Sequence, residues 1–178
     1  QNGYTPNTII LDAPIEISQG PGLPMWRPKN YSGDFLGPIT LRKSLEKSRN
    51  LSTVRLLRSV GIDKVLETSQ RLGVYKNPPR NYSIALGSFE STVIGMTNAY
   101  NTFASDGKMN KPSLIAAVYN DKGEQIYNGV SSKCSTCNSE LIEFLAYESP
   151  KVSYDIPRVI DTESNFQLLS ILEGAVKR

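Results

Sequence analysis

Histidine is absent from the 178 residues. That excludes Ser-His-Asp and Cys-His catalysis and removes the commonest metal ligand, so serine chemistry here needs a lysine base. Cysteine is scarce as well: only Cys134 and Cys137, in the run Cys-Ser-Thr-Cys. A redox pair of this spacing belongs at a helix start in a thioredoxin-like context, and a zinc site needs two more ligands. A local disulfide, or two ordinary thiols, is the reading that remains, and no metal or cofactor is expected. No stretch approaches the roughly 20 apolar residues of a membrane span, and no signal-peptide pattern opens the chain. Gln1 in first place implies a gene product that starts further upstream, leaving room there for an anchor or export signal. The net charge of +3 is small and spread along the chain, which argues against a nucleic-acid or membrane-surface partner.

What is present suits one globular domain. Apolar residues make up 39% and charged residues 21%, enough to bury a core without disulfides or metal. Thr8–Leu11 reads as a short strand. Gln19 to Pro38, broken by Pro21, Pro24 and Pro28, reads as an extended, ordered loop whose Trp26, Tyr31 and Phe35 bury their rings against the core. Thr40 is placed to cap a helix with Leu41 and Leu45 on one face. A second helix is expected over Thr53–Val60, with Val54 and Leu57 inward and Gly61 as its stop. Asp63 would cap a third, ended by Gly73. A helix capped by Ser91 or Thr92 should turn Met96, Ala99, Tyr100 and Phe103 inward. Leu114–Tyr119 and Gln125–Tyr127, joined by Asn120-Asp121-Lys122-Gly123, read as a β-hairpin. Residues 128–158 read as irregular. A last helix starts near Thr162 or Ser164, with Leu168, Leu169, Leu172 and Val176 as its stripe. The fold class is α/β in the broad sense (α+β): helix-rich, with a hairpin belonging to an antiparallel sheet.

Three short patterns concern histidine-free serine chemistry. Ser44 to Lys47 and Ser105 to Lys108 have the Ser-x-x-Lys spacing that puts an amine beside a hydroxyl on one helix face. Ser48-Arg49-Asn50 is a Ser-x-Asn. There is no Lys-Thr-Gly or Lys-Ser-Gly. Both Ser-x-x-Lys matches fail on geometry, because nucleophile, base and acceptor must converge from separate elements. Ser44 lies one turn from Ser48, and Ser105 and Lys108 flank Gly107 at a helix end. From spacing alone, the better reading is that Ser48 and Asn50 simply end and cap two adjoining helices.

Longer strings carry more information. Gly37-Pro38-Ile39-Thr40-Leu41-Arg42-Lys43-Ser44-Leu45-Glu46-Lys47-Ser48-Arg49-Asn50 resembles the transpeptidase domain of the class A penicillin-binding proteins. So do Tyr4-Thr5-Pro6-Asn7-Thr8, Asp12-Ala13-Pro14 and Trp26-Arg27-Pro28-Lys29-Asn30-Tyr31. Ala85-Leu86-Gly87-Ser88 and Ala99-Tyr100-Asn101-Thr102-Phe103-Ala104 follow in the family's order. The resemblance implies a penicillin-binding/serine β-lactamase-like fold and a peptidoglycan D,D-transpeptidase, with residues 1–178 an incomplete domain between the Ser-x-x-Lys and Lys-Thr-Gly motifs. It implies that Ser48 shuttles a proton, that Asn50 holds the substrate's amide, and that Arg49 is a tolerant middle position. The nucleophile is not in this chain, which is therefore expected to be inactive alone. The implied partners are peptidoglycan stem peptides and β-lactams in the intact parent, and missing segments of the same protein or a second copy of the chain. The implied location is extracytoplasmic, anchored by a segment not present here. A non-catalytic scaffold or interaction module of the same fold is the alternative.

Overall fold

A computed structural model describes residues 3–129, 132–134 and 152–177. They form two compact units, Gln1–Met109 with Arg158–Arg178, and Asn110–Pro157.

The first unit begins with β1 (Ile9–Asp12), which pairs antiparallel with β2 (Gly37–Thr40) in the register Ile10↔Ile39 and Asp12↔Gly37. Alternation along β1 sends Ile10 and Asp12 inward and leaves Ile9 and Leu11 in water. Thr40 ends β2 and caps α1 (Leu41–Glu46), its Oγ1 accepting from the Lys43 N–H. The buried residue on α1 is Ser44, hydrogen-bonded to Ser52, whereas Leu41 and Leu45 are half-buried. The next helix, α2 (Asn50–Val60), starts three residues before the predicted Thr53 and buries Leu51, Ser52, Val54 and Leu57. It stops at Gly61, whose φ of +95 is closed to most other residues.

Helix α3 (Ile62–Arg71) follows at once; Gly61 holds the capping position and Asp63, expected there, lies two residues later in the first turn. Leu57, Ile62 and Ile84 form a core cluster, with Ile84 supplied by a 3-10 turn over Tyr82–Leu86. Thr92 caps α4 (Val93–Ala104), accepting from the Gly95 N–H. The residues α4 buries are Asn98, Ala99 and Thr102; of the predicted apolar face Ala99 is buried and Phe103 half-buried, while Met96 and Tyr100 are exposed at 38% and 56%. Helix α5 (Thr162–Lys177) packs on α1 and α4 through Asn165 and Ile171. Its predicted stripe is displaced: Val176 is 87% exposed.

In the second unit β3 (Ala117–Tyr119) and β4 (Gln125–Asn128) form the expected hairpin, with an irregularity between Val118 and Tyr119. The Asn120 side chain closes its turn, accepting from the N–H groups of Lys122 and Glu124. The segment read as irregular contains two paired strands, β5 (Ser132–Cys134) and β6 (Val152–Tyr154). The pairing partner proposed for Cys134, Cys137, lies outside the described residues.

Candidate active site

The Ser-x-Asn triplet forms the corner between α1 and α2. Lys47 caps the C-terminal end of α1 and Ser48 follows with φ of 50, in the left-handed region. The Ser48 N–H donates to the Leu45 carbonyl at 2.9 Å, and the Arg49 N–H reaches back to the Ser44 carbonyl at 2.9 Å. These two bonds make a Schellman ending, with serine where glycine is usual. A helix must turn here, and the turn lifts Ser48 off the surface. Its side chain is exposed, and its Oγ makes no hydrogen bond among the described residues. Asn50 opens α2 and is half-buried; its amide nitrogen donates to the Lys29 carbonyl at 2.9 Å.

Between them, Arg49 points inward. Its Nε donates to Asp12 Oδ2 at 2.7 Å, its Nη1 to Asp34 Oδ1 at 2.8 Å and Ser32 Oγ at 3.0 Å, and its Nη2 to the Asp34 carbonyl at 2.7 Å. The side chain is 7% exposed, and that of Asp12 is fully buried. Asp12 also accepts from Asn30 Nδ2 at 2.9 Å and from the Leu36 N–H at 3.0 Å. Asn30 in turn donates to the Asp34 carbonyl and accepts from the Leu51 N–H in the first turn of α2. The carbonyl of Arg49 accepts from Thr53 N–H, Thr53 Oγ1 and Ser52 Oγ. Strand β1, the 30–36 loop and α2 are therefore stitched together through one residue.

The charges in this network stabilise one another. Burial works to raise the Asp12 carboxyl, but the hydrogen bonds of Asn30, Leu36 and Arg49, with the Arg49 charge, outweigh it and leave Asp12 below its ordinary value. Asp34 is lowered by its hydrogen bonds to Ser32 and Arg49. Arg49 loses by desolvation yet ends above its ordinary value because Asp34 and Asp12 hold its proton.

Several residues differ from expectation. Arg49, read as a tolerant spacer, is the most heavily bonded side chain at the corner, because it points inward where both its neighbours do not. The loop is not pinned by rings: Tyr31 is fully exposed and Phe35 is 52% exposed, while Trp26 is half-buried in a bridge to Ile17. Asn30 and Asp12 hold the loop instead. The expected strand stopped at Leu11; carried one residue further, period-two alternation puts Asp12 on the face of Ile10, the signal of a buried acid that needs a cation. Ser44 is 4% exposed and hydrogen-bonded to Ser52, and Ser105 caps the end of α4, with Lys108 exposed beyond it. Among the described residues no helix is long and apolar enough to cross a membrane.

A two-helix corner carrying an exposed serine and an asparagine, braced by a buried arginine, is set in the helical part of a mixed fold. The family model for the penicillin binding protein transpeptidase domain matches residues 1–141. The chain belongs to that family.

Its relatives narrow the match. Penicillin-binding protein 1A of Rickettsia bellii is 46% identical over the whole chain, which covers 22% of that protein. The Pseudomonas aeruginosa protein of the same name is 35% identical over 71% of the chain and 16% of its own length. The crystal structure of penicillin-binding protein 1A from Haemophilus influenzae superposes with a TM-score of 0.78 at 30% identity, covering 99% of this chain and 27% of that one. The chain thus spans about a fifth of the curated relatives it matches. It is a cell-wall transpeptidase-domain segment with the fold class read from its sequence.

Proposed function

We propose that the chain is the Ser-x-Asn-bearing part of a serine-type peptidoglycan D,D-transpeptidase, with Ser48 and Asn50 as its contribution to the active site. The single observation that carries this is the corner itself. It presents an exposed hydroxyl with no hydrogen bond among the described residues beside a half-buried amide. The backbone that holds the hydroxyl is left-handed, and strained backbone collects at functional sites. The fold of penicillin-binding protein A from Mycobacterium tuberculosis, solved as its penicillin G acyl-enzyme, gives a TM-score of 0.68 at 18% identity and supports the architecture.

In this reading a serine supplied by the rest of the full-length protein attacks the carbonyl of a D-alanyl-D-alanine stem peptide. An ester bond forms, the peptide C–N bond breaks, and the hydroxyl proton leaves with D-alanine. Ser48 relays that proton between the lysine base and the leaving amine. Asn50 holds the substrate's amide, which it can do because its Oδ1 accepts no hydrogen bond among the described residues. An amine of a neighbouring stem then takes the acyl group. A β-lactam enters by the same first step and stays as the ester. The reaction belongs outside the cytoplasmic membrane, where peptidoglycan lies.

The test is the rate of acylation of the full-length protein by a fluorescent penicillin. Asn50→Ala should slow it about tenfold or more, since an unpaired substrate amide costs on the order of 1–3 kcal/mol. Acylation at the parent rate in both Ser48→Ala and Asn50→Ala would remove the catalytic reading and leave the scaffold alternative.

A further inference from the structure

The Arg49 network has no role in the reading above, yet it ties β1, the 30–36 loop and α2 together through buried hydrogen bonds. Arg49 lies between the two functional positions in sequence, so whatever fixes its Cα fixes theirs. Four hydrogen bonds run from its guanidinium to Asp12, Ser32 and Asp34. Those partners sit on β1 and on the loop that includes Lys29, whose carbonyl orients Asn50. The Arg49 N–H and carbonyl meanwhile belong to the last turn of α1 and the first turn of α2.

We infer that Arg49 is a positioning residue, clamped by Asp12 and Asp34, that holds Ser48 and Asn50 in the geometry for acylation. This rests on the proposed transpeptidase reading and deepens it. A helix ending in a left-handed serine has no glycine to make that turn easy. The corner needs an outside force to keep it, and a side chain tied both to β1 and to the 30–36 loop supplies one. A planar fork suits the task, because its donors meet two acids and a carbonyl in fixed directions. Lysine keeps the charge but offers no such fork.

The full-length protein decides the matter, with two quantities read separately: the fraction that takes label at completion and the acylation rate constant of that fraction. Arg49→Lys and Asp34→Asn should lower the rate constant on the order of tenfold, since sub-ångström misplacement of a reacting group has effects of that size or more. The label at completion should stay near full. Because Arg49 acts through Ser48, the loss should shrink when Arg49→Lys is made in a Ser48→Ala background. Arg80→Lys, which alters a surface pair with Asp63, serves as the control and should change neither quantity. A purely structural arginine would reduce the label at completion and leave the rate constant alone, and that result overturns the inference. So does full additivity of Arg49→Lys with Ser48→Ala. If Arg49→Lys does not fold, Asp34→Asn decides alone, because the Asp34 side chain is 57% exposed and its loss leaves the buried Asp12 pair intact. Unchanged rates in Ser48→Ala and Asn50→Ala would instead defeat the transpeptidase reading itself.

Discussion

Ser48 has a conformation that ordinary residues avoid at a cost of about 1–2 kcal/mol, and it has it at the position where helices prefer glycine. Glycine would relieve that strain, at the expense of a freer unfolded chain. Ser48→Gly in the full-length protein should therefore leave stability equal or raise it by up to about 1 kcal/mol, while acylation slows because the hydroxyl is gone. Thermal unfolding and penicillin labelling of one preparation would show the two moving apart; a loss of stability would mean that the side chain, not the backbone, holds the turn. The triplet was singled out by the strings that flank it, because its spacing alone is common. The inward turn of Arg49 was not legible. Nothing in a sequence says whether the middle of three residues points in or out, and that depends on Asp12 and Asp34, 37 and 15 positions away. A corner of this kind is written partly in residues that precede it.

At the scale of elements, the caps were read well except for Asp63, and the apolar faces unevenly: Val54 and Leu57 of α2 and Ala99 of α4 are buried as expected. Thr40 and Thr92 cap where expected because a cap is a local bond between a side chain and an N–H two or three positions on. The departures on the other faces share a reason: α1, α4 and α5 also bury Ser44, Asn98, Thr102 and Asn165, small or amide residues that a hydrophobic pattern cannot flag. Such faces permit close approach. At Gly174 of α5 a Cβ would fall 2.1 Å from Glu46 Oε1 on α1, and the Glu46 side chain is 1% exposed with little room to withdraw. Arg42 fixes the same contact, donating to the Ser170 carbonyl at 2.9 Å and to Ser170 Oγ at 3.0 Å. Gly174→Ala should push α5 away from α1 and destabilise the full-length protein by about 1–3 kcal/mol, as overpacking does. A melting temperature equal to the parent's would show that Glu46 yields freely and that this approach is not tight.

Over the whole chain, apolar side chains remain in water on several elements of the first unit. Val93 and Ile94 on α4 are 83% and 58% exposed, Phe166 and Val176 on α5 are 72% and 87%, and Ile9 on β1 is 61%. The described sheets are all two-stranded, and a lone pair of strands is marginal in water. Single exposed apolar residues are ordinary, but repeated ones on one helix mark a surface meant to be covered. Strand edges left open invite a further chain. The 178 residues purified by themselves should therefore associate, as aggregates, as an exchanged dimer or with a separate segment of the same protein. They should also take no stable label from a fluorescent penicillin, since Ser44 is buried and Ser105 ends its helix with Lys108 exposed beyond it. Sedimentation over a range of concentrations, with intact mass measured after incubation with the penicillin, checks both statements. A monomer that unfolds cooperatively would show that these faces tolerate water, and an adduct would locate a nucleophile that the geometry of both Ser-x-x-Lys pairs argues against.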